Sequence, residues 1–208
     1  MRSMGRRRRI VSAATAVVLG LALVSAAPAI GVEDPAGTRA AAIVVASVDP
    51  RGDVRTFPGG GLTPAERMSI DIRRVEVATV DRRDTRVTFT LRDVIRSPRF
   101  DQMLYVTLTE RRDAAGGQWR TNAGFTTKYR TGYAGYYAVD GSEGGNCRVK
   151  IFVRPLRDQA GIVIPWACTA EGPVRIEASS FTGTFRSDAP AYSRDRHRIA
   201  GRHTITAP

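Results

Sequence analysis

The residues able to do nucleophilic, redox or metal chemistry are few. Cys147 and Cys168 are the only thiols, and His197 and His203 the only imidazoles. Twenty residues lie between the cysteines, which matches neither the C-x-x-C of a redox pair nor a zinc-site spacing, and no partner ligands lie close in sequence. Both histidines fall among arginines in the stretch SRDRHRIAGRHT, where solvated side chains are expected. The sequence contains no G-x-S-x-G elbow, no S-x-x-K and no H-E-x-x-H. A Ser or Cys nucleophile would have to borrow one of the tail histidines as its base. A glycosidase needs only paired carboxylates, and none of the 20 acids is singled out by its spacing.

Two clusters have sharper chemistry. Asp49 and Asp53, in SVDPRGDVR, sit at the end of an expected strand with Pro and Gly between them, and Asp71 opens the next strong strand. Hard oxygen ligands converging from strand ends suit Ca²⁺. The plainer alternative is a turn in which Asp side chains bond local backbone. The second cluster is aromatic: Trp119, Tyr129, Tyr133, Tyr136 and Tyr137, with Trp166 following. Such rings can stack on sugar faces, or pack within a sheet. Tyr136 and Tyr137 are adjacent, so on a strand one of them points each way.

The elements that would position these residues have period two. Val87, Phe89 and Leu91 alternate with Thr and Arg; Leu104, Val106 and Leu108 alternate with Tyr and Thr. Val149, Ile151 and Val153, then Val174, Ile176 and Ala178, repeat the pattern. One apolar and one polar face per strand implies sheets packed on one side only. Turn residues separate the runs, as at Ala114 to Gly117 and Asp140 to Gly145. Pro58 to Gly61 followed by Leu62 to Glu66 reads as a long connection with room for a short helical turn at 63–68. The expectation is an all-β, antiparallel, two-sheet sandwich, jelly-roll-like, of about eight or nine strands. Cys147 and Cys168 flank an expected hairpin whose turn lies midway between them, which implies a structural disulfide across it.

The N-terminus explains part of the charge. Arg2 and Arg6 to Arg9 precede an apolar run from Ile10 to Val24 and the small residues Ala27-Pro28-Ala29. This is the layout of a secretory signal peptide over residues 1–29, with a flexible leader at 30–40 and one domain over 41–208. Arg7-Arg8 followed by Ile10-Val11 also fits a twin-arginine signal loosely, so the export route stays open. Removing 1–29 takes away five Arg and no acid, lowering the net charge from +12 to +7. Lys128 and Lys150 are the only lysines. An excess of this size attracts anionic polymers without specifying one, and no specific nucleic-acid motif accompanies it. A secreted or envelope-associated monomer, with no transmembrane segment after cleavage, is expected.

The runs SVDPRGDVR, MSIDIRRVEVATVDRRDTRVTFTLRDV, GGNCRVKIFV and GIVIPWACTAEGPVRIEASS resemble small exported proteins of high-GC Gram-positive bacteria, most of them uncharacterised. The strand pattern is similar, distantly, to carbohydrate-binding sandwiches of the DOMON and family-9 binding-module type. That resemblance implies a β-sandwich and no particular activity. Haem ligation through Met and His, known in some DOMON-like domains, is not carried over, because both histidines lie in the tail. The expected function is non-catalytic binding of glycan or anionic wall polymer. The alternatives are a secreted hydrolase with a carboxylate pair, or a protein-binding accessory or inhibitor.

Overall fold

Apolar residues at every second position make each strand two-faced, and two such strands hide their apolar faces only by joining sheets that close on each other. The computed structural model describes residues 41–80, 83–183 and 192–206. The expected signal segment 1–29 and the expected leader 30–40 lie outside them. In chain order the strands are β1 (Ala42–Val48), β2 (Arg55–Thr56), β3 (Ile72–Val80), β4 (Asp84–Leu91), β5 (Asp101–Thr109), β6 (Trp119–Thr126) and β7 (Gly132–Ala138). They continue as β8 (Gly144–Cys147), β9 (Lys150–Arg154), β10 (Gln159–Pro165), β11 (Gly172–Gly183), β12 (Ser193–Arg198) and β13 (His203–Ile205). A helix, α1 (Pro64–Met68), lies between β2 and β3.

One sheet runs β1-β3-β4-β10-β9; the other runs β2-β12-β11-β5-β6-β7-β8, with β13 pairing with β11. The strand pairings are antiparallel. The architecture is the expected all-β sandwich of two antiparallel sheets. The strand total exceeds eight or nine because β2, β8 and β13 are short and lack apolar alternation, and because β12, SRDRHR, alternates without a single apolar residue. The core lies between the sheets. Val75, Val77, Val87 and Phe89 enter it from the smaller sheet, and Leu104, Val106, Leu108 and Phe125 from the larger. The short helix appears where the sequence places it. Thr63 Oγ1 accepts from the Glu66 amide at 3.2 Å and Glu66 Oε2 accepts from the Thr63 amide at 2.8 Å, a reciprocal cap with Pro64 at the first turn.

The two cysteines are bonded, with Cα atoms 6.1 Å apart. Their setting differs from the symmetric hairpin inferred from sequence. The β9–β10 hairpin forms, pairing Arg154 with Gln159 through Lys150 with Val163, but its ladder ends before either cysteine. Cys147 closes β8 and pairs with Ala134 of β7, in the larger sheet. Cys168 ends a 3₁₀ turn, Trp166–Cys168, that follows β10 of the smaller sheet. The bond therefore ties one sheet to the other. Glycine decides this: a Cβ at Gly144 would lie 2.2 Å from a ring carbon of Tyr137, so residue 144 can pair with β7 only without a side chain.

Candidate functional site

Strand β12 carries different chemistry on its two faces. Ser193, Asp195 and His197 are buried, while Arg196 and Arg198 are exposed, with half-buried Arg194 alternating in the same register. Asp195 and His197 meet the loop that leaves β1, and Arg196 and Arg198 line a groove on the larger sheet.

On the inner side, Asp49, Asp53 and Asp195 each bring a carboxylate oxygen into one group, all within 4.8 Å of one another. Asp49 is 4% exposed and Asp195 2%. Asp195 accepts from the amides of Ile72 and Arg196, both at 2.6 Å, so its carboxylate is locked. His197 Nδ1 lies 2.5 Å from Asp49 Oδ1, and its Nε2 lies 2.9 Å from Ser47 Oγ. The expectation of two solvated histidines is corrected here. His197 is 7% exposed because the alternation of β12 turns it inward, whereas His203, half-buried, bonds the Ala200 carbonyl at 3.0 Å. Of the three acids expected to converge, Asp49 and Asp53 do so and Asp195 joins them. Asp71 stands beside the group. It accepts from the Gly52 amide at 3.2 and 3.3 Å and pairs with Arg73 at 2.9 Å, which pins the turn that carries Asp53. Gly52 has φ +84°, a conformation that suits glycine there. No hydrophobic periodicity marks Asp195 or His197; the available signal is the strict alternation of Ser, Asp and His with Arg in SRDRHR.

Crowded carboxyls out of water resist ionising. Burial first, then the charges of Asp53 and Asp71, push the Asp49 carboxyl up to about 7. Burial pushes Asp195 up to about 6, against the hydrogen bond from the Ile72 amide and with help from the charges of Asp53 and Asp49. Burial holds His197 below its ordinary value, against the pull of Asp195 and Asp53. Between about pH 4 and 7 the folded chain alone keeps the Asp49 proton. The stability it lends is full below about 4 and is lost as pH rises through about 7. Asp195 acts with the same sign. His197 opposes, since its contribution is lost as pH falls. Asp53, Asp71 and Arg73 are the other charged groups facing the pair. Comparison with Asp49→Asn isolates the Asp49 contribution. In EDTA-containing buffer its Tm should gain several degrees on the wild type between pH 4.5 and 8. A difference that stays constant with pH would contradict this assignment.

The six aromatic candidates divide among the two faces of the β6–β7 hairpin, its turn, and the 3₁₀ turn after β10. Trp119 and Tyr136 stack, with ring centroids 5.0 Å apart, and are half-buried. The Tyr136 hydroxyl donates to Glu110 Oε1 at 2.7 Å; burial and then that carboxylate raise its pKa. Trp166 Nε1 donates to Glu171 Oε1 at 2.6 Å, and Trp166 and Tyr136 both pack against the core. Tyr133 and Tyr137 occupy the opposite, outer face of β7. The Tyr137 ring lies over Gly135, where a Cβ would come within 2.1 Å of it, and its hydroxyl bonds Asn146. Tyr105 covers Gly124 in the same way. Tyr129 sits in the β6–β7 turn, exposed, with the Lys128 ammonium 5.0 Å from its ring centre. No single platform gathers all six.

The outer face of the larger sheet holds a groove of about 860 Å³. Five arginines line it, Arg120, Arg175, Arg196, Arg198 and Arg202, against the single carboxylate of Glu177. Strand register builds it. Arg175 of β11 pairs with Thr109 of β5, which pairs with Arg120 of β6, which pairs with Tyr137 of β7. Cross-strand partners share a face, so two arginines and a tyrosine stand in one row. Glu177 engages Arg196 and also Arg198, the latter at 3.1 Å. Among the described residues neither Arg120 nor Arg175 pairs with a carboxylate, and Arg120 Nε is buried without a hydrogen-bond partner. Such guanidinium forks match carboxylate and phosphate oxygens two at a time. No helix among the described residues is long and apolar enough to cross a membrane. No protein-family model matches the chain, and comparison with curated proteins and with solved structures likewise returns no match.

Proposed function

We propose that this chain is an exported, non-catalytic sandwich that binds an anionic polysaccharide or wall polymer along the arginine groove. The observation that carries the reading is the gathering of five arginines and a single carboxylate in one groove, four arginines from β6, β11 and β12 and one from the loop after β12. The groove's charge belongs to one face, so it supports a site where net charge alone supports only diffuse attraction. The disulfide suits an oxidising compartment. The Tyr137 ring, in the same row as Arg120, adds an apolar surface for a sugar ring. The hydrolase alternative needs an acid pair that a substrate can reach. The desolvated pair here, Asp49 and Asp195, lines neither this groove nor the hollows beside Arg96 and Tyr105.

The test is binding to immobilised polyuronate and to a phosphate-linked wall polymer, with neutral glucan as control. Binding of the charged polymers is expected in 0.1 M salt, where the Debye length is about 10 Å, and strong weakening in 1 M, where it is about 3 Å. Arg120→Gln combined with Arg175→Gln should cost about a hundredfold in affinity, at about tenfold per charge-assisted contact. Retention by neutral glucan, sensitive to Tyr137→Ala and insensitive to salt, would move the reading to ring stacking. Failure to bind any polymer, or unchanged binding by the double variant, would refute it.

A further inference from the structure

The acidic group on the inner face of β12 holds an oxygen with nothing to bond. Asp49 Oδ1 is held by His197 Nδ1 at 2.5 Å, while Asp49 Oδ2 is buried and makes no hydrogen bond. A carboxylate oxygen withdrawn from water and left unpaired is costly, and proteins keep such groups where a ligand or ion completes them. Asp53 and Asp195 bring their oxygens to the same place. The Arg73 guanidinium pairs with Asp71, which is not one of the three. We propose that Asp49, Asp53 and Asp195 bind a calcium ion.

The donor set selects the metal. All three donors are hard carboxylate oxygens, which calcium and magnesium prefer and which zinc accepts less readily than nitrogen or sulfur. Both nitrogens of His197, the imidazole at hand, are engaged, one by Asp49 and one by Ser47, so it orients the Asp49 carboxylate from behind. The oxygens all lie within 4.8 Å of one another, close enough to share one ion whose ligands sit at about 2.4 Å. Magnesium demands near-ideal octahedral geometry and gives up its water reluctantly, so it suits a site of three protein carboxylates less well. The two buried ligands are held by the frame: Asp195 by two amides and Asp49 by His197. The third, Asp53, is exposed on the turn that Asp71 pins, and gives the ion its way in. Three protein carboxylates leave the rest of a six- to eight-fold shell to water, an arrangement that matches extracellular modules with Kd of about 10⁻⁴ to 10⁻³ M.

This inference is independent of the arginine groove, which lies on the other face of β12. It is tested on purified protein stripped with EDTA and titrated with CaCl₂, by calorimetry and by thermal melting. Saturable binding with Kd of about 10⁻⁴ M and a Tm rise of about 5–10 °C in 10 mM Ca²⁺ are expected. Asp53→Asn is the variant least able to disturb folding, because that side chain is exposed. It should weaken Ca²⁺ at least tenfold while melting in EDTA no lower than the wild type. Asp195→Asn should abolish the Ca²⁺-dependent rise. A melt unmoved by Ca²⁺, an Asp53→Asn variant with wild-type Ca²⁺ affinity, or Zn²⁺ binding where Ca²⁺ fails would each overturn the proposal.

Discussion

Phe89→Ala is expected to destabilise the protein by about 4 kcal/mol, lowering Tm by about 8–16 °C for a domain of this size. Phe89 is fully buried on β4 of the smaller sheet and meets Phe125 on β6 of the larger, edge to face, with ring centroids 6.0 Å apart. The ring therefore fills the space between the sheets, and truncation leaves a cavity lined by two rigid layers that cannot collapse onto it. The lost aromatic pair adds about 0.5–1.5 kcal/mol beyond its area. Thermal and urea unfolding of the purified variant measure the loss. At a temperature where the variant stays folded, its affinity for anionic polymer should match the wild type, because the groove lies on the opposite face of the larger sheet. A loss under about 1 kcal/mol would mean that the sheets do not close over this residue.

Removing the disulfide by Cys147→Ser with Cys168→Ser is expected to cost about 3 kcal/mol, or about 6–12 °C in Tm. The bond closes a segment of sequence separation 21, and its loss frees the unfolded chain more than the folded one. The cost has a structural side as well. Cys168 is buried, and the link is the covalent tie between the β8 edge of one sheet and the turn beyond β10 of the other. Edge strand β8 has four residues and, among the described residues, pairs with β7 alone, so its docking depends on that tie. Melting with and without reductant measures the effect on the unmutated protein. Thiol labelling of the unreduced, unfolded chain should find no free cysteine. A reductant-induced shift below about 2 °C would show that the bond constrains nothing the sheets do not already hold.

Much of the sandwich was legible because its main strands announce themselves locally. Val87-Phe89-Leu91, Leu104-Val106-Leu108 and Val174-Ile176-Ala178 each point inward, as their alternation requires. Thr63, Pro64 and Glu66 specify a helical start within four residues, and the structure makes that cap. The cysteine pair follows from there being only two in a chain expected to be exported, although the hairpin argument put them in the wrong setting. In each case the determining interactions lie within one strand or turn, or the choice has only one solution.

The functional surfaces were legible only in part, because they depend on register between distant strands. Asp49 and Asp53 share a turn, so their nearness could be read from the chain. Asp195 and His197 join them only because β12 pairs with β11 and turns those residues inward, and Ser47 meets His197 across a separation of 150 residues. Nothing apolar marks β12, so a reading by hydrophobic period passes over it. The aromatic cluster misled for a related reason. Closeness in sequence along a hairpin sends successive rings to opposite faces, so Trp119 and Tyr136 pack inward while Tyr133 and Tyr137 lie outside. The arginine groove was invisible in a chain where arginine is spread throughout. Charge per residue is a property of the sequence, but which five guanidinium groups share a face is set by strand order and register, and those are chosen by burial of the apolar faces on the other side.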